Sequence, residues 1–262
     1  MMRWEKELEA AKQVAVEAGK AIMDIYQGAD QTFVEYKSDQ SPLTIADQAA
    51  NKIIVEFLRN NFPQYAVLSE EEKDQKSRLE NDYCFVVDPL DGTKEFLKRN
   101  GQFTVNITLA YKHESVMGVI YVPVTGDLYY AAKGAGAFVE HTEGQKTKLS
   151  VSDQTDISKL RVVMSNSHGC AEMDALIEKY HLTNFVKIGS SLKGCMVASA
   201  EADVYYRFNP TMEWDTAAMQ CIAEEAGAVF RQMDGSVMTY NREDSRNSKG
   251  FYIINKMENL LY

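Results

Sequence analysis

The stretch CFVVDPLDGTKEF, Cys84 to Phe96, joins an apolar run to a helix-compatible one through two aspartates three residues apart. Cys84 to Val87 reads as a buried strand, so Asp88 and Asp91 are expected at a strand end, where ligands gather in folds of this kind. Two carboxylates converging there repel one another unless a cation is shared between them. Oxygen ligands with no neighbouring His or Cys favour Mg²⁺ or a similar divalent ion. Gly92 and Thr93 add backbone N–H groups at a helix start, which suit an anion. The same letters also fit a solvated Asp-Gly turn, and only the wider chain separates the two readings.

Upstream, Leu8, Ala11, Ala15, Ala18, Ile22 and Ile25 predict a helix from Trp4 to Tyr26, with Gly28 beyond its end. A second helix is expected from Ile45 to about Asn61, its stripe formed by Ile45, Ala49, Ile53 and Phe57. The period then changes, and strands are expected at Tyr65–Leu68, Tyr83–Val87, Phe103–Ala110, Ser115–Tyr121 and Asp127–Ala132. The polar stretch His141 to Ser158 reads as a boundary or crossing segment. Beyond it, strands Leu160–Met164, Phe185–Ile188, Asp203–Phe208 and Phe251–Asn255 alternate with helices Ala171–Tyr180, Leu192–Ala200 and Thr216–Ala226. This order predicts an α+β unit over residues 1–150 and an α/β unit over residues 151–262.

The 262 residues are 45% hydrophobic and 25% charged, which suits a globular protein with a sizeable core. Lys and Arg number 28 against 38 Asp and Glu, a formal charge of −10, so no general nucleic-acid-binding surface is expected. Cys84, Cys170, Cys195 and Cys221 are scattered singly, without zinc-ligand or disulfide spacing, and His113, His141, His168 and His181 form no ligand set. The charged amphipathic N-terminus is unlike a signal peptide, and no apolar run approaches the roughly 18 residues of a membrane span. A reduced, cytoplasmic protein is expected, with peripheral membrane association left open.

Three further acids each carry two readings. Glu70, in LSEEE, either completes a metal shell or belongs to a solvated acidic face. Asp215, in EWDTAA, opens a helix as its cap, with a second oxygen free to coordinate. Asp47 follows Thr44 at capping-box spacing.

Taken together, SPLTIAD (Ser41–Asp47), LSEEE (Leu68–Glu72), DPLDGTKEF (Asp88–Phe96), GQFTVNI (Gly101–Ile107) and PTMEWDTAA (Pro210–Ala218) resemble the inositol monophosphatase superfamily, and within it the bacterial 3′(2′),5′-bisphosphate nucleotidase branch. The motifs stand in family order along essentially the whole chain. The resemblance implies the layered α-β-α-β-α sandwich of the inositol monophosphatase and fructose-1,6-bisphosphatase type. It also implies two or three Mg²⁺ per active site, one held by Glu70, Asp88 and the Leu90 carbonyl, a second by Asp88, Asp91 and Asp215. It assigns water activation to Thr93 with Asp47, setting the capping role of Asp47 aside, and phosphate binding to the Gly92 and Thr93 amides. Sensitivity to lithium is implied too.

For a bisphosphate nucleotide, Ser190, Ser191, Lys193 and Arg207 are candidates for the second phosphate, with Ser165 and His168 near the nucleoside; arginine bonds two phosphate oxygens at once. From spacing alone, Lys193 and Arg207 equally suit ordinary surface charge. Tyr206 and Asn209 stand where proline and glycine are frequent in the branch, which bears on the substrate pocket. The reaction implied is hydrolysis of adenosine 3′,5′-bisphosphate to AMP and phosphate by metal-activated water, as in sulfur-assimilation recycling. The alternatives are an inositol or sugar monophosphatase, or a non-catalytic phosphate-binding protein.

Overall fold

Helix α1 (Glu5–Gln27) buries Leu8, Ala11, Ala15, Ala18 and Ile22, the expected stripe. In the computed structural model, which describes residues 3–28, 34–36, 42–166 and 169–262, a short antiparallel pair follows, β1 (Val34–Tyr36) with β2 (Pro42–Thr44). Helix α2 (Ile45–Asn61) is rotated one position from expectation. It buries Ala46, Ala50, Ile54 and Leu58, and leaves Ile45 exposed. The i, i+4 pattern occurs on two adjacent stripes, and the buried one is that whose alanines permit close approach to α1.

A seven-stranded sheet then runs in spatial order β3 (Ala66–Ser69), β4 (Tyr83–Asp91), β5 (Thr104–Tyr111), β6 (Glu114–Val122), β7 (Asp127–Ala132), β8 (Gly136–Glu140), β9 (Lys146–Lys148), and only the β3–β4 pair is parallel. Alternation sorts its residues between two cores. Phe85 and Val87 join α1 and α2 on one face, while Cys84 and Val86 face the other. The stretch expected as a boundary contributes β9, whose three exposed residues pair with β8 at the sheet edge before the chain crosses to a second sheet.

That second sheet has five strands in the order β11, β10, β12, β16, β14, where β10 is Arg161–Ser165, β11 Asn184–Ile188, β12 Val204–Arg207, β14 Val229–Gln232 and β16 Phe251–Ile254. Two-residue strands β13 (Thr211–Met212) and β15 (Arg246–Asn247) pair beside it. After the one-turn α3 (Thr93–Leu97), helix α4 (Ala171–Tyr180) covers the outer face through Met173 and Leu176. Between the sheets lie α5 (Leu192–Ala198) and α6 (Glu213–Glu225). A Cβ at Gly118 of β6 would stand 2.6 Å from the Ala218 carbonyl oxygen, so α6 rests directly on that strand. The layers are therefore helix, sheet, helix, sheet, helix, a mixed α/β sandwich.

Candidate active site

Strand β4 runs past Val87 through the segment expected to turn. Asp88 pairs with Asn106 and Asp91 with Thr104, so three steps along β4 match two along β5. This bulge puts both carboxylates on the same face. The N-terminus of α6 brings Asp215 to them, and one oxygen from each of Asp88, Asp91 and Asp215 lies within 4.8 Å of the others.

Each aspartate is held from behind. Asp88 Oδ1 accepts the Leu90 N–H at 3.1 Å, and Asp215 Oδ2 caps α6 by accepting the Met212 N–H at 2.7 Å. Asp91 Oδ2 accepts from Ser191 Oγ at 2.7 Å and Asn106 Nδ2 at 3.3 Å, and Thr104 Oγ1 fixes Asn106 at 2.9 Å. Glu70 continues the pairing beyond β3, its N–H donating to the Val87 carbonyl at 3.1 Å, and it lines the same cavity outside the tight trio.

Burial pushes the Asp88 carboxyl well above the ordinary carboxylate range, reinforced by Glu70, Asp91 and Asp215. Burial, then Asp91 and Glu70, pushes Asp215 up to about 8. Crowded, desolvated carboxylates of this kind become favourable when a cation neutralises them. An all-oxygen donor set fits a hard divalent ion.

Gly92 caps α3 in the left-handed region at φ 93°, and a Cβ there would stand 3.0 Å from the Gln102 carbonyl oxygen and 3.3 Å from Ser190 Cβ. The turn delivers Thr93, whose Oγ1 donates to Asp47 Oδ1 at 3.1 Å. Asp47 keeps its capping role as well: its Oδ2 accepts from Thr44 N–H at 2.7 Å and Thr44 Oγ1 at 2.6 Å. One oxygen fixes the start of α2 and the other holds Thr93, which corrects the expectation that one role displaces the other.

The same cavity, of about 240 Å³, is also lined by Ser165, Ser190, Ser191, Lys193, Tyr205 and Arg207. Several of these are already engaged. Ser191 Oγ serves Asp91, and Lys193, 8% exposed, donates to the Ser190 carbonyl at 2.5 Å. Desolvation lowers the Lys193 ammonium to about 8. By contrast, the buried Arg207 Nε has no hydrogen-bond partner among the described residues. His168 lies outside the described residues. Tyr206 alternates away from Tyr205 and Arg207 into the outer core, where its hydroxyl donates to the Asn259 carbonyl at 2.6 Å. It therefore bears little on the cavity.

Sequence reading assigned no role to Asn106, Thr104 or Gln102. The Gln102 Oε1 accepts from Gly189 N–H at 2.9 Å and Asn166 Nδ2 at 2.6 Å, tying three segments at the rim. All three lie in the quoted GQFTVNI motif, and for Thr104 and Asn106 a buried polar residue on strand β5 is the signal that marks them.

Among relatives, the 3′(2′),5′-bisphosphate nucleotidase CysQ of Salmonella typhimurium is 41% identical over 250 residues, covering 94% of this chain and 98% of its own length. The Buchnera aphidicola protein of that name is 40% identical over 253 residues, covering 95% and 94%. The crystal structure of CysQ from Bacteroides thetaiotaomicron superposes with a TM-score of 0.84 at 39% identity, over 97% of this chain and 99% of that one. SuhB of Bartonella henselae shares the fold at 24% identity, with a TM-score of 0.79 over 95% of this chain and 93% of its own. The match to the inositol monophosphatase family runs from residue 3 to residue 257. It leaves no strand of either sheet outside it, and the chain belongs to that family.

Proposed function

We propose that the chain is a Mg²⁺-dependent 3′(2′),5′-bisphosphate nucleotidase that converts adenosine 3′,5′-bisphosphate to AMP and phosphate. The carrying observation is that one cavity is lined both by the crowded carboxylates and by the buried Arg207, whose Nε has no partner among the described residues. A substrate with two phosphates answers both the acids, through cations, and the guanidinium. Relatives of that name at about 40% identity support the same reading.

Glu70, Asp88, the Leu90 carbonyl, Asp91 and Asp215 would hold two or three ions, which supply charge neutralisation and acidify bound water. Thr93 and Asp47 orient the attacking water and take its proton, as the Thr93–Asp47 hydrogen bond allows. The Gly92 and Thr93 amides receive phosphate oxygens. Water attacks the 3′ phosphorus in line with the departing ribose oxygen, so the new P–O bond forms as the ester bond breaks. Arg207 bonds the 5′ phosphate, Ser190 and Lys193 shape that end, Ser191 acts through Asp91, and Ser165 and His168 lie toward the nucleoside. The ligands divide between residues 1–150 and 151–262, which we read as two units sharing one site. No helix among the described residues is long and apolar enough to cross a membrane, and we assign the enzyme to the cytoplasm.

The test is phosphate release from adenosine 3′,5′-bisphosphate and from inositol 1-phosphate, with and without Mg²⁺. The expected result is Mg²⁺-dependent turnover with the bisphosphate preferred. Preference for inositol 1-phosphate would make this a simple monophosphatase. Metal-dependent phosphate binding without turnover of either would make it a binding protein.

A further inference from the structure

Away from the cavity, a buried polar network joins the segment that follows Glu70 to the first turn of α6. Arg78, 3% exposed, lies in the short 3₁₀ turn Lys76–Glu80. Its Nε and Nη2 grip Asp74 at 2.7 and 3.0 Å, clamping the segment four residues beyond Glu70. Nη1 donates to Asn241 Oδ1 at 2.7 Å, and Nη2 also to the Arg242 carbonyl at 2.8 Å. Residues 241–247 then act as a strap on α6. The N–H groups of Asn241 and Arg242 donate to the two carboxylate oxygens of the fully buried Glu213, at 2.6 and 3.0 Å. Asn247 Nδ2 donates to the Met212 carbonyl at 2.8 Å and Thr216 Oγ1 at 3.0 Å, on either side of Asp215. Glu213 N–H returns a bond to the Ser245 carbonyl at 2.9 Å.

We propose that Arg78 is a positioning residue that, through the strap 241–247, sets the separation of Glu70 from Asp215 and thereby the affinity of the site for its divalent ions. The proposal rests on the reading of those two acids as metal ligands. The Arg78 network ties the segment behind Glu70 to the first turn of α6, which carries Asp215, so both segments are held whether or not an ion is bound. A planar guanidinium with its donors committed in fixed directions does this, and a lysine ammonium cannot reproduce the fork. Groups that orient ligands typically change metal affinity by about 10–100-fold when altered.

The test compares Arg78→Lys with Arg161→Lys. Arg161 forms a similar set of bonds with Asp203 and the Ala200 carbonyl, remote from the acids. Three quantities are read for each: the melting midpoint, Mg²⁺ binding to chelator-treated protein by calorimetry, and kcat and KM at saturating Mg²⁺. Both variants should melt lower than wild type. Arg78→Lys alone should bind Mg²⁺ at least about tenfold more weakly, and its substrate KM should recover when Mg²⁺ is raised. Asn241→Ala should shift Mg²⁺ affinity in the same direction, and it serves if Arg78→Lys does not fold. If the Mg²⁺ affinity of Arg78→Lys, or of Asn241→Ala in its place, stays within twofold of Arg161→Lys while wild type binds and hydrolyses normally, the positioning role is wrong and the functional reading stands. If wild type binds no Mg²⁺, both fall together.

Discussion

Two of the regions that bury carboxylates in this molecule treat them in opposite ways. Asp203, fully buried, accepts from the Arg161 N–H at 2.7 Å, from Arg161 Nε at 3.1 Å and Nη2 at 2.6 Å, and from Ser152 Oγ. Burial alone pushes its carboxyl up, yet the Arg161 bonds outweigh that and hold it below the usual range. At the active site, Asp88, Asp91 and Asp215 converge, and Asp88 and Asp215 are pushed upward. The chain can neutralise a buried acid from within and does so at Asp203. Among the described residues no guanidinium is hydrogen-bonded to the trio, which reserves that place for a cation from solution.

Substitution of the trio should break the contrast most strongly. Asp88→Asn is expected to reduce kcat/KM roughly a thousandfold or more, since several kcal/mol of transition-state stabilisation pass through the ions. The same change should raise the melting midpoint of the metal-free protein. Wild-type turnover by this variant, measured as phosphate release, would remove the trio from the reaction. Asp203→Asn should do the reverse, costing about 3 kcal/mol in urea unfolding because Arg161 loses its partner, while turnover per folded molecule is preserved.

Thr93→Ala sharpens the distinction between holding metal and activating water. It should lower kcat about a hundredfold with little change in KM, and calorimetry should find Mg²⁺ affinity intact. Normal turnover would reject the Thr93–Asp47 pair. The smallest effect is a difference in pH slope. Between the unfolded value of 3.8 and about 8, folded Asp215 keeps a proton that the unfolded chain releases, so the metal-free protein should lose stability as pH rises. At about 2–4 °C per kcal/mol, its midpoint should drop a few degrees from pH 5.5 to 8, and saturating Mg²⁺ should abolish or invert that trend. Asp203, lowered instead, contributes stability above the ordinary carboxylate value and loses it only as acid is added below it.

Local chemistry made much of this legible. The periodicity of α1, the strands through Ala132 and the DPLDGT segment follow from near neighbours in sequence, and Asp88, Asp91 and Asp215 do meet. Strands β1, β2, β8, β9, β13, β14 and β15 were not anticipated, because short stretches such as Lys146–Lys148 owe their conformation to pairing rather than to an apolar pattern. The rotation of α2 follows from packing against α1, which favours the stripe with Ala46 and Ala50 over its equally periodic neighbour. Ser191, expected near the second phosphate, also donates to Asp91, 100 residues away, a contact that spacing does not announce. Arg78 and Asn241 are 163 residues apart, and nothing periodic announces such a pair.

The irregularity in β4 bears on how this motif can be copied. On a regular strand, an odd separation puts two side chains on opposite faces and an even one puts them on the same face. Asp88 and Asp91 break that parity rule only because the bulge absorbs one residue. D-P-L-D therefore carries a backbone instruction as well as two acids. Grafted onto a flat strand the four letters would split their carboxylates across the sheet, where D-x-D would keep them together. Deleting one residue between them here would turn one acid into the opposite layer unless the bulge vanished with it.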